Sequence, residues 1–300
     1  GKISGIVEFR DATPEERAVR EINSGFCAFD AAWLSEHLPH VPPARNGEIY
    51  LTALAGTAAT GGGTESLLVP GVGEMTGVNT RGQLAEAETI LRRRINEQLM
   101  ESGVSLQDSA TTYVEIGVEI GPDTYIATNT HLTGRTVVGR ECEIGPNAIV
   151  RDTVVGARCR ILSSVLTQAT LEDDVTVGPF AHLRPGTHCG RGAAIGTGSE
   201  IKASTLGPGV SMHHFGYLGD AKVAANVNIG AGTVTCNFDG KRKHQTHIGE
   251  GAFIGSDSLL IAPVTVGAGA LTGAGSVVTR DVPDGERVAG VPARALRRSK

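Results

Sequence analysis

Aromatic side chains are scarce in these 300 residues: one Trp, four Tyr and seven Phe. Rings supply the largest buried areas of ordinary cores, so a core built mainly on them is excluded and aliphatics must take their place. Positive charge is not in excess either. The 27 Lys and Arg face 32 Asp and Glu, a net charge of −5, and no global basic field argues for nucleic acid. The five cysteines (Cys27, Cys142, Cys159, Cys189, Cys236) are odd in number and contain no C-x-x-C pair. A disulfide framework and a zinc ribbon are both disfavoured, and reduced thiols in a cytoplasmic protein are expected. No run of 18 apolar residues offers a membrane span, and no charged-then-apolar leader opens the chain. Neither a membrane nor a nucleic acid is an expected partner.

What is present is 40% hydrophobic content, 41 glycines and a rhythm. Ile120, Ile126, Leu132, Val138, Ile144 and Val150 recur every six residues. After a slip, Val165, Leu171, Val177, Leu183, Cys189, Ile195 and Ile201 do the same. Leu206, Met212 and Leu218 follow, then Val223 and Ile229. Beyond an interruption at 235–247 come Ile248, Ile254, Leu260, Val266 and, past Thr272, Val278. A period of six fits neither a helix at 3.6 nor strand alternation at 2, but it fits a short strand plus a corner repeated around a coil. The pattern predicts a β-helix of hexapeptide repeats with one inward aliphatic per hexad. Its narrow interior has little room for rings, so the aromatic deficit has a physical cause.

Residues 1–103 read differently. SGIVEF is predicted as a strand, TPEERAVREI as a helix opened by Thr13 with Pro14 at its first position, and GFCAFDAAWLSEHL as a strand followed by a helix. Thr80 and Gln83 form a capping box. Leu84, Ala87, Leu91, Ile95 and Leu99 then keep helical spacing up to Gly103, which predicts one long helix over 80–102. This first segment holds 9 basic and 14 acidic residues, so the whole excess of negative charge sits on it.

Several segments carry a resemblance. GPFAHLRPG (178–186), SEIKAS (199–204), HFGYLGDAKV (214–223), NVNIGAGTVTCNFDG (226–240), FIGSDSLLIAPVTVG (253–267) and AGSVVTRDVP (274–283) do so in the repeats. GIVEFRDATPEERAVREINSG (5–25) and TGVNTRGQLAEAE (76–88) agree at the front. Together they resemble the bacterial bifunctional family of N-acetylglucosamine-1-phosphate uridyltransferase and glucosamine-1-phosphate N-acetyltransferase. The resemblance implies a homotrimeric left-handed parallel β-helix over 104–284, preceded by a truncated α/β, nucleotidyltransferase-type remnant at 1–79 and a connecting helix at 80–103. A basic tail at 285–300 follows.

The implied reaction moves acetyl from acetyl-CoA, a co-substrate, to the amine of glucosamine 1-phosphate. An amine attacking a thioester needs a base and donors for the developing oxyanion; histidine suits the former near neutral pH, and the family's catalytic histidine falls on His214. A sugar phosphate needs fixed cations, and the resemblance places Arg184, Lys202 and Lys243 there, with Tyr217 and Asn228 on the sugar and Glu200 near His214. Asn237, Phe238, Ser256, Ala274 and Arg294 are implied for acetyl-CoA, with Arg287, Arg297, Arg298 and Lys300 as further basic residues of the tail. Three departures stand out. Phe238 replaces a Tyr, Ser211-Met212-His213 replaces Lys-Ala-Gly, and the ending AGVPARAL is that of generic hexapeptide acyltransferases.

Of the uridyltransferase site, only Glu8 and Asn23 match sugar contacts and Asn79 a Mg²⁺ ligand. The phosphate-cradling loop and acidic ligand belong to a family stretch that would precede Gly1, so uridyl transfer is not expected of these residues. Three alternatives remain open: a hexapeptide acyltransferase for another amino sugar or alcohol, a metal-dependent β-helix hydratase using histidines across subunits, and a non-catalytic scaffold.

Overall fold

The computed structural model describes residues 3–44, 47–61, 63–69, 71, 73, 75 and 77–296. Two compact units divide at residues 90 and 91. In the first, helix α1 (Pro14–Arg17) opens as predicted: Glu16 N donates to Thr13 Oγ1 at 3.2 Å, and Thr13 N donates to Glu16 Oε2 at 2.7 Å. It stops after one turn because none of its residues is buried, and a short helix without a packed face lacks stabilisation. Helix α2 (Ala31–His37) is capped by Asp30, whose Oδ1 accepts from Trp33 N at 2.9 Å. Helix α3 (Ala53–Thr60), unmarked in the hydrophobic pattern, buries Leu54.

The strands predicted at SGIVEF and in GFCAF do not form. Among the described residues of this unit no strand is present, and an extended segment without a neighbour has nowhere to place its amides and carbonyls. Helix α4 (Arg81–Glu101) matches the prediction at both ends, with the capping box in place: Gln83 N donates to Thr80 Oγ1 at 3.2 Å, and Thr80 N to Gln83 Oε1 at 3.0 Å.

The second unit is the parallel β-helix that the hexads predict. Its strands, mostly two to four residues long, form three parallel sheets of 12, 10 and 9 strands, here A, B and C, visited in rotation so that each strand pairs with its equivalents one coil before and after. The last member of sheet A, Arg294–Ala295, is the exception, pairing antiparallel with Arg287–Ala289. The interior is a stack of the predicted aliphatics. Ile126, Leu132, Ile144, Val150, Leu183, Leu206, Met212 and Leu260 are fully buried, and no aromatic among the described residues joins them.

Two details correct the sequence reading. Sheet A strands bury a second residue two positions before the aliphatic, usually a small one: Cys142 before Ile144, Cys159 before Ile161, Ala193 before Ile195 and Ala252 before Ile254. The phase after the slip resumes at Leu166, fully buried, and not at Val165, which is 36% exposed. The cause is a corner one residue shorter, since Ile161 pairs with Val177 while Val165 pairs with His182. Thr272 fills the missing hexad position. It is buried, with its Oγ1 accepting from Gly255 N and sharing a hydrogen bond with Ser258 Oγ, both at 2.9 Å, so its hydroxyl is satisfied inside an aliphatic column. All five cysteines are free thiols.

Candidate functional site

Register alone brings the first group of candidates together. On sheet B, His182 pairs with Glu200 and Glu200 with Tyr217, while Lys202 pairs with Gly219. Arg184 stands one position beyond Leu183, the partner of Ile201, and so lies beside Lys202. Parallel neighbours are about 4.8 Å apart, and alternate residues share a face. Arg184 and Lys202 are therefore outward neighbours on consecutive coils, next to a column holding Glu200 and Tyr217. Arg184 Nη1 donates to Glu200 Oε1 at 2.7 Å; the two side chains are 39% and 42% exposed, and in such a place the pair orients more than it stabilises.

The interruption at 235–247 contributes a hairpin over this face. Phe238 and Lys243 form an antiparallel bridge. Between them Asp239 ties the turn: its Oδ1 accepts from Lys241 N and Arg242 N, and its Oδ2 from His244 Nε2, all at 2.7 Å. These bonds, that from Arg242 N first, hold the Asp239 carboxyl down at about 2. The hairpin delivers Lys243 to Lys202. Contact with the Lys243 ammonium, then burial and the charges of Lys243 and Arg184, push the Lys202 ammonium below its usual range, with Asp220 opposing. Three cations converging in this way suit an anion of more than one charge.

Behind them Asn237 is buried and donates from Nδ2 to Asp220 Oδ2 at 2.5 Å. A side chain at Gly219 would stand 2.6 Å from that amide nitrogen and closer still to the Tyr217 hydroxyl. Glycine here is a matter of close approach: it lets Tyr217 and Asn237 close over the sheet. The Asn237 side chain thus roots the hairpin and faces its own chain.

A second group shares one edge of the prism. Ser211 pairs with Asn228, Asn228 with Phe253 and Phe253 with Leu271, so the residues three positions on, His214, Ala231, Ser256 and Ala274, occupy the same corner in four successive coils between sheets A and B. His214, Ser256 and Ala274 are exposed. The catalytic candidate and two acetyl-CoA candidates thereby fall in one row, which no sequence spacing displays because the coil between Ala231 and Ser256 carries the hairpin. Asn228 lies on sheet A, across this edge from Tyr217. Arg294 is exposed on the terminal hairpin opposite Ala289, its Nη1 donating to Ala293 O at 2.9 Å. Arg287 continues the column of Asn228, Phe253 and Leu271. Arg297, Arg298 and Lys300 lie outside the described residues.

The candidates of the first unit are not brought to a common centre by these hydrogen bonds. Glu8 Oε1 accepts from Thr52 Oγ1 at 2.9 Å, Asn23 Oδ1 accepts from Gly25 N at 3.2 Å, and Asn79 N donates to Gln83 Oε1 at 2.8 Å. Among the described residues no three of His, Cys, Asp or Glu gather to hold a metal ion. His188 Nε2 sits 3.0 Å from Glu172 Oε1 and His244 Nε2 2.7 Å from Asp239 Oδ2, each paired with a single acid. No helix among the described residues is long and apolar enough to cross a membrane.

Comparison with known proteins fits this geometry. The family "Bacterial transferase hexapeptide (six repeats)" matches residues 117–152 and 245–280. A curated relative, the bifunctional protein GlmU of Pelobacter propionicus, is 48% identical over 289 residues, 95% of this chain and 63% of its own length. GlmU of Thermotoga petrophila is 48% identical over 281 residues, 93% of this chain and 62% of its own. The chain thus spans a little under two thirds of the length of these relatives. Among solved structures, the Francisella novicida UDP-N-acetylglucosamine acyltransferase is similar at 17% identity over 64% of this chain and 69% of that one, with a TM-score of 0.42. With the match running over 93–95% of its length at 48% identity, the chain is similar to the bifunctional GlmU proteins and carries the hexapeptide repeats of the bacterial transferase family.

Proposed function

We propose that this protein transfers the acetyl group of acetyl-CoA to the amine of glucosamine 1-phosphate, with His214 as general base. One observation carries the reading: Arg184, Lys202 and Lys243 converge at the far end of the sheet B strands, on consecutive coils and an overlying hairpin, with the Glu200–Tyr217 column between them and the edge that carries His214. A phosphate dianion held by that cluster leaves the rest of the sugar to extend past Tyr217 toward the edge. There His214 takes a proton from the substrate nitrogen as it attacks the thioester carbonyl; the carbon–sulfur bond breaks, and the leaving thiolate recovers that proton from the imidazolium. Donors along the row of Ser256 and Ala274 would hold the developing oxyanion. The residues fit a phosphorylated amino sugar better than a neutral one, because nothing in an uncharged acceptor would offset the repulsion between Lys202 and Lys243.

A homotrimer in the cytoplasm completes the proposal. The row lies open along the prism edge, and a neighbouring copy would turn it into a cleft that excludes water. Uridyl transfer and Mg²⁺ binding are not part of it: Glu8 accepts from Thr52 and Asn23 from Gly25, and neither bond gathers the two side chains. Release of free CoA thiol from acetyl-CoA in the presence of glucosamine 1-phosphate tests the reading, and an inactive wild-type protein would overturn it.

A further inference from the structure

The corner that carries His214 is built unlike its neighbours. Along the edge between sheets A and B, the third corner residue adopts left-handed backbone in the adjacent coils: Gly198 (φ +71°), Gly232 (+74°), Asp257 (+56°) and Gly275 (+69°). Every other corner of the row, from Asn129 on, likewise contains at least one residue with positive φ. Among the described residues, 213–215 is the exception, since Phe215 does not take that conformation.

The hydrogen bonds change accordingly. In the two following corners the left-handed residue donates its amide to the second corner carbonyl of the preceding coil: Asp257 N to Ala231 O at 2.6 Å and Gly275 N to Ser256 O at 2.8 Å. By that rule Gly232 N would reach His214 O. It bonds instead to Phe215 O at 2.7 Å, and the His214 carbonyl is taken by Ser199 Oγ at 2.9 Å.

Ser199 is buried, 1% exposed, in a column of hydroxyls at the start of the sheet B strands. Thr130, Thr233, Ser258 and Ser276 of that column each donate to a carbonyl of their own coil's corner: Ala127 O, Gly230 O, Gly255 O and Gly273 O, at 2.6–2.8 Å. Of these, Ser199 alone donates to a backbone carbonyl of the next coil; Ser258 Oγ meets only the Thr272 hydroxyl there, at 2.9 Å. In that coil the equivalent position is Gly216, which has no hydroxyl to offer. The altered corner also accounts for His213. Its counterparts in the nearest coils are Gly196, Gly230, Gly255 and Gly273, and a Cβ at Gly230 would stand 2.5 Å from Ser256 N, whereas the reshaped 213–215 backbone accommodates a side chain.

We propose that Ser199 is a positioning residue for acetyl transfer: its buried hydroxyl holds the His214 carbonyl in a corner no left-handed residue fixes, and so sets where the imidazole stands. This rests on His214 being the general base. Loss of the bond lets the corner relax, which misaligns the base in the transition state and leaves both substrates' contacts in place.

The test compares Ser199→Val with Ser199→Thr, two side chains of one shape, only one of which keeps the hydroxyl. Threonine fits this column at 130 and 233. The valine variant is expected to lose about tenfold in kcat, the worth of one hydrogen bond, with both KM values within about twofold of wild type, while Ser199→Thr restores the rate. Thr130→Val, which loses a like bond in a distant coil, melts lower yet keeps kcat. The proton resonances of the His214 ring, assigned by difference against His214→Gln, shift or broaden in Ser199→Val and return in Ser199→Thr whether or not turnover occurs. Should the valine variant not fold, Ser199→Ala makes the same comparison. A valine or alanine variant with wild-type kcat and an unmoved His214 signal would overturn the proposal, as would a threonine variant equally impaired. Absence of acetyl transfer by the wild-type protein would instead remove the reading of function, leaving the resonances to decide the role of Ser199.

Discussion

Gly196 offers a lever on the proposed base from the coil before it. A Cβ built there would stand 2.6 Å from His213 Cα and closer still to the His213 carbonyl, against an ordinary carbon contact of about 3.5 Å. Both obstacles are backbone, so neither can swing aside, and Gly196→Ala must push the 213–215 corner outward by about 1 Å. Overpacking of this kind costs about 1–3 kcal/mol, and a displacement of about 1 Å at the catalytic group is enough for a loss near a hundredfold in rate. Gly192, on another corner of the same coil, is the control. Its φ is +68° with nothing within 4 Å of the built Cβ, so Gly192→Ala carries a conformational penalty of about 1 kcal/mol and no displacement. Melting temperature and initial rate of CoA release should therefore separate the two variants: both melt lower, but only Gly196→Ala loses kcat. Equal rates for the two would refute the reasoning.

Two further outcomes follow. Lys202 has a depressed ammonium pKa in the folded chain, so that group opposes folding while it stays protonated, and the penalty is relieved as pH rises through its lowered pKa. A bound phosphate should raise that pKa again, and calorimetry near pH 9.5, about a unit below an ordinary lysine, should detect net proton uptake when glucosamine 1-phosphate binds; identical heats in buffers of different ionisation enthalpy would place the phosphate elsewhere. Asn96 of α4 is buried and donates from Nδ2 to Ser109 O at 2.9 Å and Thr112 O at 3.0 Å. Asn96→Ala should remove about 2–3 kcal/mol in urea unfolding by leaving both carbonyls unpaired, and an unchanged midpoint would show that α4 is not fastened there.

The hexad phase made the β-helix legible because each coil repeats the same burial, and one aliphatic per face marks it. It misplaced Val165 for Leu166, since a corner shortened by one residue leaves no composition signal. The strands of the first unit failed for a different reason: a strand pattern states what a segment would do beside a partner and says nothing of whether one is there. The family resemblance named Arg184, Lys202 and Lys243, but their convergence needed the coil register and the Asp239 turn, which joins residues 239 and 244 across an unremarkable stretch. The His214 corner was the least legible. Corners of this row favour Gly, Asn and Asp at their last position, and 215 carries an aromatic instead. Phe180 occupies the equivalent place with φ +60°, so residue type alone does not decide, and the hydrogen bonds of the neighbouring coils do.

Initial-rate acetyl transfer from acetyl-CoA to glucosamine 1-phosphate by the wild-type chain and by His214→Ala tests the central claim most directly. The account predicts a fall in kcat of about 10²–10⁴ on losing the general base, with the melting temperature preserved because His214 is exposed and outside the stacked core. A folded His214→Ala variant that turns over at the wild-type rate would contradict it.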